Sequence, residues 1–332
     1  MDRIAVVGAG SWGTTVASLA ARSTPTLLWA RRPELATEIN ETRENRAYAP
    51  GLPLPDELAS TADLAEVVEG CSALVMAVPS HGFREIYSRI APELDDEVPV
   101  LSLTKGIEQD TLATMTQIVA EMSPGKDPGL IGVMTGPNLA SEVAAGQPTA
   151  SVIAMSNSET ARHLQDVFMG PTFRVYTHDD VVGCELGGAL KNVMAIAAGM
   201  SDGLGFGDNT RATLITRALA ELTRLGVTLG GRASTFAGLA GMGDLIATCI
   251  STVSRNHQVG FGLASGKTLT EVVTEMRMVA EGVKTTQAVL DLAKRSGIEM
   301  PIASHVGRVL YEGLDPREAV LLLMTREAKQ ED

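Results

Sequence analysis

The chain has 332 residues, enough for about two domains, and its 45% apolar share is that of a protein with full cores. A net charge of −13 argues against a nucleic-acid partner or an anionic membrane surface, although a few local cations can still dominate a pocket for a small anion. Three scattered cysteines, Cys71, Cys184 and Cys249, argue against a disulfide framework or a zinc site and fit a reducing cytoplasm.

In chain order, the N-terminus MDRIAVVGAG lacks the basic flank and apolar core of a signal peptide. No uninterrupted apolar run approaches bilayer length, so a cytoplasmic protein without membrane insertion is expected. IAVVG (4–8), TLLWA (26–30), ALVMAV (73–78), VPVLSL (98–103) and LIGVM (130–134) read as short strands. Between them TTVASLAARS, TADLAEVVEG and DTLATMTQIVAEM carry apolar residues at helical spacing, and ASVIAM (150–155) and TFRVY (172–176) extend the sheet. This alternation predicts a parallel sheet with helices on both faces.

Gly8, Gly10 and Gly13 in IAVVGAGSWGTT form Gly-x-Gly-x-x-Gly between a strand and a helix. That context points to a dinucleotide site in a Rossmann-type doubly wound fold, with pyrophosphate on the helix N-terminus. At the end of the second strand, WARRP supplies Arg31 and Arg32 where an acidic residue would meet an unphosphorylated ribose. Forked, permanently charged donors suit a 2′-phosphate, so NADPH is expected to be preferred, with NADH the alternative. The bland reading is two solvated surface charges. After VPVLSL, TKG places Lys105 at the crevice. After LIGVM, TGPNLASEVAAG places Gly136 and Pro137 before a helix, with Pro137 in its first turn and free N–H groups facing an oxyanion.

Beyond about residue 180 the strands stop, which divides the chain into a dinucleotide-binding domain, 1–180, and an all-helical substrate domain, 181–332. GCELGGALKNVMAIAAGM (183–200) has the composition of a buried helix yet holds Lys191 at its middle. A snorkelling side chain would explain it blandly, whereas a buried amine needs a partner or tends to lose its proton. GLGFG (203–207) follows a helix, not a strand, and reads as a turn. GMGDL places Asp244 after a glycine turn, and Ser254, Arg255 and Asn256 in STVSRNHQVG suit a phosphate. A helix cap at Ser251 or Ser254, with Arg255 and Asn256 exposed, is the structural alternative. The five histidines show neither metal spacing nor a triad.

GAGSWGT, VPSH, TKG, TGPNLASEVAAG, QPTA, FRVY, ELGGALKNVMAIAAGMSDGLGFGDNTRATLITR, GMGDLIATC, SRN and AEGVKTT occur in an order and spacing that resemble the bacterial-type NAD(P)-dependent glycerol-3-phosphate dehydrogenases along essentially the whole chain. The resemblance implies that Lys191 is the catalytic proton donor and acceptor. It implies Ser11, Trp12, Arg31, Arg32 and Ala140 at the cofactor, with Val279 and Glu281 beside them. Lys105 and Arg255 would touch both cofactor and substrate, and Gly136, Asp244, Ser254 and Asn256 would complete the substrate pocket. Tyr48 would lie near the adenine. Asn138 stands where the family usually has Thr or Ser and is a weaker substrate contact; Ala49 and Ala218 also depart from the family pattern. The resemblance also implies a homodimer, although the sequence does not fix the oligomeric state.

The implied reaction is reversible reduction of dihydroxyacetone phosphate to sn-glycerol 3-phosphate, which feeds glycerophospholipid synthesis. Charge building on the ketone oxygen needs a proton donor, and a positioned ammonium at the domain junction supplies one, worth about 10²–10⁴ in rate. Two rivals are weighed: another two-domain hydroxyacid-type dehydrogenase, such as one for 3-hydroxyisobutyrate or ketopantoate, and a non-catalytic NADPH-binding sensor. The first would not need the Ser-Arg-Asn cluster, and the second could dispense with Lys191 and Asp244.

Overall fold

Apolar runs become interior strands here because helices cover both faces of the sheet. In the computed structural model, which describes residues 3–276, 280–327 and 330, the strands are β1 (Ile4–Val7), β2 (Thr26–Trp29), β3 (Leu58–Thr61), β4 (Ala73–Met76), β5 (Val100–Ser102), β6 (Ile131–Thr135), β7 (Thr149–Ala154) and β8 (Phe173–His178). They form one sheet in the order β3-β2-β1-β4-β5-β6-β7-β8. Period-two alternation sorts β1 between two cores. Ile4 and Val6 join Val16 and Ala17 of the Ser11–Ala20 helix, while Ala5 and Val7 join Phe83 and Tyr87 of the Ser80–Ile90 helix.

Three features depart from the sequence reading, one being that the helix expected from Asp110 spans only Met115–Met122, started by Thr114. LAST at 58–61 is a strand, and the helix expected from Thr61 spans only Leu64–Val68, started by Asp63 accepting from the N–H groups of Ala65 and Glu66. The sheet is also not wholly parallel, since β6 and β7 run antiparallel. Their connection holds only the five-residue Ala140–Ala144 helix. Such a helix covers about 7 Å, and a parallel return along a five-residue strand needs about 16 Å. The chain therefore turns back at the same end.

Beyond β8 all described regular structure is helical. The central helix, Val181–Gly203, is started by Asp180, whose carboxylate accepts from the Gly183 and Arg232 N–H groups and from Thr235 Oγ1. Around it pack the helices Asp208–Thr228, Asp244–Ile250, Arg255–Ala264, Glu281–Ser296 and Pro301–Glu312. By length and composition the central helix could cross a membrane, which a count of uninterrupted apolar residues misses because Glu185 and Lys191 break the run. It is the buried axis of the helical half. GLGFG is a turn, as its position after a helix predicts, with Gly205 at φ +80°. Cys71, Cys184 and Cys249 are buried free thiols.

Candidate active site

The first crevice loop is built by backbone that only glycine allows. Gly8 has φ +122°, and a Cβ there would sit 2.6 Å from the Ala77 carbonyl oxygen. At Gly13 a Cβ would meet the Gly8 carbonyl oxygen at 1.9 Å, whereas Gly10 faces open space. Gly10 precedes the helix that starts at Ser11 and supplies no side-chain cap, so the start of that helix faces the open space. Trp12 Nε1 is buried without a hydrogen-bond partner, and its ring leans on Phe173 at 6.3 Å. An open glycine edge, a helix start without a side-chain cap and an orphaned donor fit a dinucleotide's pyrophosphate.

Arg31 and Arg32 are exposed just past β2, and the Arg32 guanidinium lies 5.9 Å from the centre of the Tyr48 ring. Asn45, which the sequence reading passed over, ties this region to the glycine loop. Its Nδ2 donates to Ala9 O (3.0 Å) and Thr14 Oγ1 (2.8 Å), and its Oδ1 accepts from Tyr48 N. Ala140 opens a short helix packed on the Ser11–Ala20 helix. The Gly136–Pro137 expectation needs correction. Leu139, not Pro137, precedes the first helical turn, and the Gly136 carbonyl, at a residue with φ +128°, accepts from Lys105. The loop presents that carbonyl to Lys105.

Lys191 does not snorkel. It is 5% exposed, and its amine donates to Asp244 Oδ1 and to Thr248 Oγ1, the latter at 2.5 Å. Lys105 Nζ reaches the other oxygen of the same carboxylate at 2.9 Å and also Asn138 Oδ1 at 2.7 Å. Asn138 Nδ2 donates to Ser151 Oγ, which donates to Thr135 O. Burial disfavours the Asp244 carboxylate, but the two ammoniums outweigh it and hold its pKa below the ordinary value. Burial pushes the Lys105 amine down to about 8, with Asp244 opposing the fall and Lys191 adding to it. Two amines on one carboxylate leave a positive charge unbalanced inside the protein. The Lys105 loop is tied to the glycine loop through Thr104, whose hydroxyl donates to Val78 O at 2.6 Å, next to Ala77.

The Ser-Arg-Asn trio separates in the structure. Ser254 caps the Arg255–Ala264 helix, accepting from His257 N at 3.4 Å, and Arg255 is exposed as a residue, although desolvation of its guanidinium lowers its pKa, with Glu281 opposing the fall. Asn256 is buried: its Nδ2 donates to Asn192 Oδ1 (3.0 Å) and its Oδ1 accepts from Gly282 N (2.9 Å). The cap alternative therefore describes Ser254 and Arg255 but not Asn256. Asn192 in turn donates to Lys105 O at 2.9 Å. Glu281 accepts from Ser80. Val279 lies outside the described residues. Thr248 and Asn192 were missed from sequence, although each had a signal, four residues after Asp244 on one helix face and beside Lys191. A cavity of 920 Å³ lies elsewhere in the helical half, around Glu221 and Val306, and touches none of Lys105, Lys191 and Asp244.

Residues 3–161 match the family model described as NAD-dependent glycerol-3-phosphate dehydrogenase N-terminus, and residues 180–321 match that of its C-terminus. The chain is 52% identical over 331 residues to a glycerol-3-phosphate dehydrogenase (NAD(P)+) of Citrifermentans bemidjiense, covering 99% of both chains. Its fold is similar to a crystal structure of glycerol-3-phosphate dehydrogenase from Coxiella burnetii, with TM-score 0.93, 39% identity, and 98% and 99% of the two chains covered. A structure of the Saccharomyces cerevisiae glycerol-3-phosphate dehydrogenase gives TM-score 0.84 at 28% identity, covering 97% of this chain and 99% of that one.

Proposed function

Because the chain belongs to the NAD-dependent glycerol-3-phosphate dehydrogenase family, we propose that it catalyses the reversible reduction of dihydroxyacetone phosphate to sn-glycerol 3-phosphate for glycerophospholipid synthesis. One observation carries this reading: Lys105 and Lys191 hold opposite oxygens of buried Asp244, leaving one surplus positive charge beside the crevice loops. That arrangement suits an anionic substrate whose ketone oxygen must take up charge and a proton.

When bound, the nicotinamide supplies the hydride. Lys191 delivers the proton to the ketone oxygen in reduction and takes it back in oxidation. Asp244 and Thr248 fix the direction of its amine. Lys105 stabilises the developing alkoxide and the substrate's anionic end. Gly136 and Asn138 aim Lys105 through their oxygens. Arg255 takes the phosphate as its main ligand. The Ser254 hydroxyl, whose oxygen already accepts from His257, keeps its hydrogen for the same phosphate. Asn256 supports that helix start rather than binding from its own amide.

For the cofactor, Gly8, Gly10, Ser11, Trp12 and Gly13 hold the pyrophosphate, and Tyr48 with Arg32 brackets the adenosine. Arg31 and Arg32 favour NADPH, with NADH the lesser cofactor; Ala140, Val279 and Glu281 complete that site. We further take residues 1–180 and 181–332 as the two domains, the protein as cytoplasmic, and the enzyme as a homodimer.

The test is NADPH consumption with dihydroxyacetone phosphate, and with ketopantoate as a non-phosphorylated control. Turnover should require the phosphorylated ketone. Equal turnover with ketopantoate would refute the substrate, and equal kcat/KM for NADPH and NADH would refute the cofactor preference.

A further inference from the structure

Ser80 opens the helix after β4 and is 3% exposed. Its hydroxyl donates to Glu281 Oε2 at 2.6 Å and its N–H to Glu281 Oε1 at 3.2 Å. The residue before it is Pro79, which has no N–H to offer and no side-chain cap. A carboxylate from 201 positions away therefore caps this helix with both oxygens. The pair lies directly on the Lys105 loop: a Cβ at Gly106 would come within 2.6 Å of Ser80 Oγ and 3.1 Å of Glu281 Oε2.

From Glu281 the connection continues. Gly282 N bonds Asn256, Asn256 bonds Asn192, and Asn192 bonds the Lys105 carbonyl, which adjoins Gly106 under Ser80. The hydrogen bonds and the Gly106 contact close a ring through three sheet-side residues and four helix-side residues. A surface ion pair would add little, but this link is charge-assisted, two-pronged and half-buried, which makes it both stronger and more directional.

We propose that Ser80 is a positioning residue: it fixes the Glu281 carboxylate and so sets how the 280–282 turn meets the dinucleotide. The proposal rests on the reading of Glu281 as a cofactor contact. Without the Ser80 hydroxyl, Glu281 keeps one weaker bond and can swing toward Arg255, the cation it already senses. Gly106 is required for the same reason, because a methyl group there displaces Ser80.

The experiment is NADPH fluorescence titration of Ser80→Ala, Glu281→Gln and the double variant, with thermal midpoints alongside. Ser80→Ala should weaken NADPH binding about tenfold, because Glu281 is then no longer held toward the dinucleotide, and should lower the midpoint by a few degrees, as expected for one lost charge-assisted hydrogen bond. The double variant should be no weaker than Glu281→Gln, since Ser80 acts through that carboxylate. Ser80→Thr, which keeps the hydroxyl, should retain most of the affinity. Normal affinity in Glu281→Gln would overturn the Glu281 reading and the proposal with it. A weakened Glu281→Gln beside a normal Ser80→Ala, or losses that multiply in the double variant, would overturn the Ser80 proposal alone.

Discussion

Two amines share Asp244, and their environments give them separate tasks. Lys105 is the one that burial pushes down to about 8, so its charge is lost as pH rises through that value. The substrate then meets a neutral amine. We expect kcat/KM for dihydroxyacetone phosphate to be level below pH ~8 and to fall roughly tenfold per unit above it. Lys105→Arg should remove that fall, at some cost in absolute rate because a planar fork replaces a point charge. A wild-type profile still level well above that pH would oppose the role. Lys191→Met keeps the stem in its apolar bed and removes the proton, so turnover should drop by about 10²–10⁴. NADPH affinity, measured by titration, should stay within about twofold, because among the described residues Lys191 bonds Asp244 and Thr248. Much of this cluster was legible in sequence. Lys191 stood out as a charge in an apolar helix, and Asp244 followed a glycine turn. Thr248 and Asn192 are uncharged, and their only signal in sequence was spacing, which gains meaning for Thr248 once the Asp244–Ile250 helix puts it one turn beyond the aspartate.

At the scale of elements, sequence patterning was readable where burial was complete and ambiguous where it was partial. β1, β2 and β4 are buried on both faces, so their apolar runs declare themselves. β3 sits at the sheet edge with alternating exposure, so its short LAST gives no apolar run to read, and its last residue, Thr61, is taken into the helical pattern that follows. Close helix crossings were legible only as composition. The central helix meets the Arg255–Ala264 helix so tightly that a Cβ on Gly260 would lie 1.9 Å from the Ile196 carbonyl oxygen. Helix propensity predicts a gain of about 1 kcal/mol for Gly→Ala. Overpacking against rigid backbone costs about 1–3 kcal/mol or more. The crossing should win, and Gly260→Ala should lower the thermal midpoint. Gly82, inside the Ser80–Ile90 helix, has no neighbour within 4 Å of an added Cβ. Gly82→Ala should therefore be neutral or stabilising by about 0.5–1 kcal/mol. If both variants shift the midpoint alike, propensity rather than packing governs this helix pair.

The whole molecule carries a net charge of −13, but a few buried groups decide how its stability responds to pH. Asp244, Asp180 and Glu108 have lowered pKa values, so their contribution is present above the unfolded carboxylate range and is lost as pH falls through their folded values. Around neutrality they are all ionised and contribute no slope. Glu221 behaves in the opposite sense. It is buried where the Asp208–Thr228 helix supports the start of the Pro301–Glu312 helix, and it accepts from the N–H groups of Ile302 (2.8 Å) and Ala303. Burial pushes its pKa up to about 7, although those N–H groups and the charges of Arg224 and Arg326 pull it down. Between its ordinary value of 4.5 and about 7 the folded state holds a proton that the unfolded chain has released. Stability must then decline as pH rises across that interval, by up to about 3 kcal/mol, and level off above it. Buried Glu185, also raised, adds to the same slope. Glu221→Gln keeps an acceptor for Ile302 and has no proton to lose. Its denaturation free energy should therefore vary less than that of the wild type across this interval and exceed it above pH ~7. Parallel pH profiles for the two proteins would mean that Glu221 stays ionised in the fold, held by its two helix N–H groups.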